Sequence, residues 1–330
     1  MENQLSHADF PPQLVVETTA ACNQDCIFCG RTYSLRPLKT MKVELLEKIF
    51  REVAAESPDT EIWPTFMGEA TMLPQIFDHI AFAKQIGCRR VTLNSNGSRL
   101  DEAMCEKIIS SGLDRFIISM DAATPETHAK VRPATKQPTP EEQKQKNDQF
   151  FWTMWNGTLK LIEIMKSRSL RKPLVEVQFS VFKENVQEWE GFRDFWIAQG
   201  AIVKVRPMMA WSGMVKAEQS PAYDVLTGDP RPAQRMPCKW AFDTMGIHWN
   251  GSVVACAVDS EGKHVAGSVE FQTIKEIWNN QLWYLRELHR QGRFRELPEP
   301  CRGCPDWHVK KSLEFFPSPE SKQDHDLYVG

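Results

Sequence analysis

Leu14-Val15-Val16-Glu17-Thr18-Thr19-Ala20-Ala21-Cys22-Asn23-Gln24-Asp25-Cys26-Ile27-Phe28-Cys29 is the stretch on which the reading of this chain turns. A short apolar run, the pattern of a buried strand, leads directly into a loop with three cysteines spaced C-x3-C-x2-C. In parallel α/β sheets the loops that follow the strands' C-terminal ends carry the chemistry, so these thiols stand where a reaction is expected. Three close thiolates imply a metal. A [4Fe–4S] cluster normally takes four cysteines, so three leave one iron with an open coordination position. The alternative is a zinc site completed by a fourth ligand elsewhere; no further Cys or His lies close by in the sequence.

Outward from this segment, strand and helix patterns alternate. Strands are expected over 14–16, 61–63, 90–93, 115–119, 174–179 and 202–205, with helices over 43–55, 101–110, 151–165 and 188–199. The alternation predicts a mixed α/β fold over residues 10–206, a partial (β/α)6 barrel with a curved parallel sheet and helices outside. Two segments interrupt it. Residues 132–149 hold three prolines, many charges and no large apolar residue, and are expected to form a mobile polar insertion. Residues 207–237, rich in Met, Pro and Gly, connect the barrel to a smaller C-terminal domain over 238–330. That domain opens with a hairpin over 246–254, turning at Asn250-Gly251, and continues with an amphipathic helix over 274–289.

Composition narrows the function classes. The 330 residues exceed one ordinary core, and 40 basic against 43 acidic side chains give a net charge of −3. No global positive field exists to attract nucleic acid or an anionic membrane. The opening MENQLSHADFPP has neither a basic start nor an apolar run, and nothing approaches the roughly eighteen consecutive apolar residues of a membrane span. A cytoplasmic location is the expectation. There the nine cysteines are read as metal ligands or reactive groups rather than disulfides.

The octet Cys22 to Cys29, with an aromatic residue before its last cysteine, resembles the signature of the radical S-adenosylmethionine (SAM) superfamily. The resemblance implies that the open iron binds the amino and carboxylate groups of SAM, and that one electron cleaves SAM to methionine and a 5′-deoxyadenosyl radical. It places Phe28 near the adenine. Met67-Gly68-Glu69-Ala70 at the end of the second strand looks like the family's Gly-Gly-Glu motif with its first glycine replaced, Glu69 accepting from the methionine ammonium and Gly68 lying beside it. Ser95 and Asn96 after the third strand, and Ser119 and Asp121 after the fourth, resemble the polar tips that contact the carboxylate and ribose. Gln178 is a further ribose candidate.

Cys238 and Cys256 are followed by Cys301-Arg302-Gly303-Cys304. By spacing alone this set suits a zinc ribbon or a cluster. The order Cys238-x12-Gly251-x4-Cys256, a gap, then Cys301-x2-Cys304 resembles the SPASM/Twitch auxiliary-cluster extension of radical SAM enzymes. No cysteine follows Cys304, so the resemblance implies one auxiliary [4Fe–4S] cluster, saturated by four thiolates and suited to electron transfer. Cys88 and Cys105 remain and are read as packing residues. Arg206, closing the sixth strand, is the candidate to orient a polar substrate or assist deprotonation, and Trp211 the candidate platform.

The resulting expectation is an oxidoreductase with two [4Fe–4S] clusters that abstracts hydrogen from a hydroxylated small molecule such as a sugar, cyclitol or aminoglycoside precursor. A flavodoxin- or ferredoxin-type protein would supply electrons. The alternatives are a peptide maturase forming a cross-link or epimer, and a non-enzymatic zinc scaffold. No spare thiol is placed to quench a substrate radical, which favours oxidation over epimerisation unless a tyrosine such as Tyr223 donates hydrogen.

Overall fold

The computed structural model describes residues 8–181, 183–215, 234–308, 314–319 and 322; most of the connecting segment, Tyr223 included, lies outside them. Six parallel strands stand side by side in chain order: β1 (Gln13–Val16), β2 (Glu61–Trp63), β3 (Arg90–Ser95), β4 (Arg115–Ser119), β5 (Leu174–Val181) and β6 (Ile202–Pro207). All eight residues of β5 are buried, as in strands covered on both faces. Helices α1 (Val43–Glu56), α2 (Ile76–Gln85), α3 (Glu102–Ser110), α4 (Pro125–Val131), α5 (Pro140–Ser167) and α6 (Trp189–Gln199) fill the crossovers. The buried stripe of α1, Leu46, Ile49, Phe50 and Val53, recurs at helical spacing and joins the main core with Val91 and Val16.

Alternation along the strands sorts two kinds of residue. Phe116 and Ile118, with Val177 and Phe179, belong to the core packed under the helices. The alternate positions carry the polar and charged residues, among a few apolar ones such as Ile117. Near the strand starts, Arg115 pairs with Glu61 at 2.8 Å and Glu176 at 3.2 Å, and Lys204 lies 3.8 Å from Glu176. These charges compensate one another inside the sheet, as buried charges must. Near the strand ends the same alternation brings up Ser119, Gln178, Ser180 and Arg206.

The C-terminal part does not build a separate sheet. Strand β7 (Thr244–Ile247) adds parallel to β1, the hairpin through Asn250-Gly251 returns as β8 (Ser252–Val254), and β9 (Val265–Ser268) follows antiparallel. At the other edge, β10 (Glu314–Phe316) caps β6 antiparallel. One ten-stranded sheet results. Helix α7 (Trp240–Asp243) precedes the hairpin, and the single helix expected over 274–289 is two, α8 (Ile274–Asn279) and α9 (Gln281–Arg290). They break at Asn280, whose φ of −104° and ψ of −74° depart from ideal helical angles.

The polar insertion is corrected. Its second half is the start of α5, opened by a capping box between Thr139 and Glu142 with Pro140 in the first turn. Its first half is anchored by two buried residues, Arg132 and Ala134, the latter bridged to Gln24, and within α5 Asn147 is buried as well. Low hydrophobicity misleads here because the segment packs through charge pairing and backbone hydrogen bonds.

Candidate functional site

The loop after β1 is strapped in place by residues 131–134: Asp25 N donates to Pro133 O at 2.9 Å and Ile27 N to Val131 O at 3.2 Å. The strap brings Arg132 inward. Its Nη1 lies 3.7 Å from Cys26 Sγ, its guanidinium 4.9 Å from the Phe28 ring centroid, and its Nε donates to Asp121 Oδ2 at 2.7 Å. Asp121, at a φ of 53°, takes Ser180 N–H on its other oxygen and is wholly buried. Asp121, expected at the ribose, is thus the counter-ion of Arg132. Sequence reasoning missed Arg132, and its only signal was a charge in a proline-rich stretch.

Burial, followed by repulsion from Glu69, pushes the Cys22 thiol up to about 12, and burial pushes Cys26 higher still against the opposing pull of Arg132. Cys29 adds repulsion to both. Three thiols on one loop, with Cys22 and Cys26 resisting ionisation, are a donor set suited to a cationic centre, and iron binding would release their protons. The residues therefore fit a three-cysteine cluster. Asn96 Nδ2, 3.9 Å from Cys22 Sγ and 2.8 Å from Asn23 Oδ1, lies against the same thiols.

Gly68 owes its identity to close packing. A Cβ there would lie 2.1 Å from Thr19 O, so only glycine lets the loop after β2 lie against the cysteine loop. Glu69 then hydrogen-bonds through its backbone N to Ala21 O at 2.8 Å. Its carboxylate gathers Ser95 Oγ at 2.8 Å and Asn96 N at 2.7 Å, with Thr71 N and Oγ1. Ser119 Oγ donates to Asn94 Oδ1 at 2.9 Å and receives Gln178 Nε2 at 3.4 Å. The expected polar tips are thereby brought onto one rim beside the cysteines. Arg206 closes the rim, donating to Ser180 Oγ at 3.0 Å. Burial pushes its guanidinium down while Asp121 and Asp306 favour its charge, yet among the described residues it makes no ion pair. Cys88 and Cys105 are buried, their thiols 3.4 Å from Phe50 O and 3.7 Å from Gly157 O, away from this rim.

Cys238, Cys256, Cys301 and Cys304 line a single pocket with His289, Trp240 and Asp306. Burial and mutual repulsion push Cys256 up to about 12 and Cys301 well above the ordinary thiol value. His289 accepts Cys238 N–H on Nδ1 at 3.4 Å, while its buried Nε2 has no partner among the described residues. A four-thiol pocket with an unanswered buried nitrogen fits an enclosed cluster.

The two cysteine sites are joined. Asp306, two residues past Cys304, accepts Ala210 N–H at 2.7 Å and Ser212 N–H at 3.0 Å, and its own N–H reaches Cys304 Sγ at 3.4 Å. The turn it grips holds Trp211 and Ser212 at φ of 48° and 57°. Trp211 Nε1 donates to Phe28 O at 2.8 Å, and Trp211 packs both against the apolar cluster that holds Cys26 and Phe28 and against Met209 and Val258, on which Cys256 and Cys304 also pack.

The Radical SAM superfamily model matches residues 16–194, and the SPASM iron-sulfur cluster-binding domain model matches 238–305. The chain belongs to the radical SAM superfamily and carries a SPASM auxiliary-cluster region. The radical SAM domain implies SAM and a [4Fe–4S] cluster, and the SPASM domain implies auxiliary iron–sulfur rather than zinc. Among curated relatives, the AdoMet-dependent heme synthase of Methanosarcina barkeri is 30% identical, over 89% of this chain and 91% of its own. BtrN in complex with AdoMet and 2-DOIA shares the fold at a TM-score of 0.61 and 14% identity, covering 92% of this chain and 96% of that one. Streptococcus suis SuiB bound to S-adenosylmethionine superposes at 0.63 and 14% identity, over 93% and 73%. At such identities these two likenesses concern the fold alone. No described helix is long and apolar enough to cross a membrane.

Proposed function

We propose that the chain is a radical SAM oxidoreductase acting on a polar small molecule and using one auxiliary [4Fe–4S] cluster as electron acceptor. Cys22, Cys26 and Cys29 would hold the SAM cluster, Cys238, Cys256, Cys301 and Cys304 the auxiliary one, with the barrel proposed over 10–206, a connection over 207–237 and the auxiliary domain over 238–330. When bound, SAM supplies a hydrogen-abstracting 5′-deoxyadenosyl radical, and the auxiliary cluster supplies a one-electron acceptor. Glu69, Ser95 and Asn96 would orient the methionine end of SAM, with Gly68 setting their approach. Phe28, Ser119, Gln178 and Asp121 would bound the nucleoside side, Asp121 by holding Arg132 against Cys26 and Phe28.

The observation that carries the oxidative reading is Arg206. A half-buried guanidinium with no ion pair among the described residues, on the rim between the two cysteine sites, suits an anionic or hydroxylated substrate and stabilises negative charge as a carbinol proton leaves. Electrons for SAM cleavage would come from a flavodoxin- or ferredoxin-type protein. Anaerobic turnover with candidate polyols, carboxylated substrates and peptides, read by product mass, tests the proposal. Loss of two hydrogens is expected, whereas unchanged mass with deuterium fixed from deuterium oxide would mean epimerisation and end the oxidative reading.

A further inference from the structure

Besides its four thiols, the second pocket is lined by His289, a buried imidazole at the end of α9. Its ring is held edge-on to Phe242 at 6.3 Å and tilted against Phe294 at 5.9 Å. The tautomer is fixed by geometry. A backbone N–H can only donate, and Cys238 N lies 3.4 Å from Nδ1, so Nδ1 is the acceptor and the proton of the neutral ring resides on Nε2. That Nε2–H is fully buried and has no acceptor among the described residues. Buried donors are rarely left unanswered, and an orphan in such a pocket points to a group that occupies it. Arg235 repeats the pattern: two of its nitrogens hold Cys301 O at 2.6 Å and Arg302 O at 2.7 Å, and its buried Nε is unanswered in the same lining.

We propose that His289 donates its Nε2 hydrogen to a sulfur of the auxiliary cluster and so raises that cluster's reduction potential. Reduction adds negative charge to the cluster, and a donor aimed at its sulfurs stabilises the reduced form more than the oxidised one. His289 is thus a tuning residue, making the auxiliary cluster a better acceptor for a substrate's electron. The inference rests on the four-cysteine assignment but not on any particular substrate.

The test is a paramagnetic-resonance redox titration of the reconstituted full-length protein, as parent, His289→Leu and His289→Gln. Both variants are expected to keep about eight irons. In His289→Leu the auxiliary midpoint should fall by about a tenfold change in the one-electron equilibrium, or about 59 mV. His289→Gln, which retains an N–H donor, should recover most of it. An unchanged midpoint in His289→Leu overturns the proposal. Should that variant lose its cluster, the parent grown with 15N-histidine decides. A weak 15N coupling to the reduced auxiliary cluster is expected. No coupling, or one strong enough for a direct iron–nitrogen bond, overturns it. About four irons in the parent would instead bring down the four-cysteine assignment, and the inference with it.

Discussion

His128 is wholly buried in α4, edge-on to Phe151 at 5.7 Å, with neither ring nitrogen partnered among the described residues. Burial, reinforced by Arg132, pushes it down to about 3 from the ordinary 6.5. Between those two values the unfolded chain binds a proton that the folded chain refuses, so stability rises with pH across this window and is lost as pH falls through it. By pH 5 the loss from this one group is about 2 kcal/mol. Replacing His128 by Leu should therefore flatten the dependence of the unfolding midpoint on pH between 6.5 and 4.5 by about one proton. An unchanged slope in denaturant titrations at stepped pH would refute this. In the sequence His128 has no Cys, His or carboxylate at a ligand spacing that marks a role, and Arg132 opens the stretch expected as a polar insertion. Their roles arise from what α4 and the strap after it press against, which residue type cannot express.

Among the elements, the turn at 210–212 bears most on coupling between the sites. Two successive non-glycine residues at positive φ are strained, and the Asp306 carboxylate holds them by satisfying both flanking N–H groups. Asp306→Ala would leave those donors unanswered at a cost of about 1–3 kcal/mol each, releasing Trp211 from Phe28 O. Iron content should stay near the parent's, while oxidised product per deoxyadenosine formed falls several-fold. A parent-like ratio measured by chromatography would show that the turn positions nothing. The elements themselves were largely legible. All six parallel strands follow from apolar runs of strand length, and the Asn250-Gly251 hairpin from its turn dipeptide. Helix α5 was legible only in its apolar second half. Its polar first half depends on the Thr139–Glu142 capping box and on Asn147 Oδ1 receiving Ala134 N–H at 2.8 Å.

For the whole molecule, seven cysteines on two sites imply two clusters and about eight irons per chain after anaerobic reconstitution. Replacing Cys22, Cys26 and Cys29 together should leave about four irons and an auxiliary paramagnetic signal, with no SAM cleavage. Loss of both signals would show that the Trp211 and Asp306 bridge makes the sites fold as one. The sequence by itself determined the family, the succession of the six barrel strands along the chain and the two cysteine groups, because ligand spacing and strand period are local properties of the chain. Tertiary structure alone decided that β7 would extend the barrel sheet beside β1, that Arg132 would neutralise Asp121 beside Cys26, and that His289 would line the four-thiol pocket. Each of these is a meeting of segments between about ten and more than two hundred residues apart, selected by burial and hydrogen-bond satisfaction in the folded state, and such selection leaves no local mark in residue spacing.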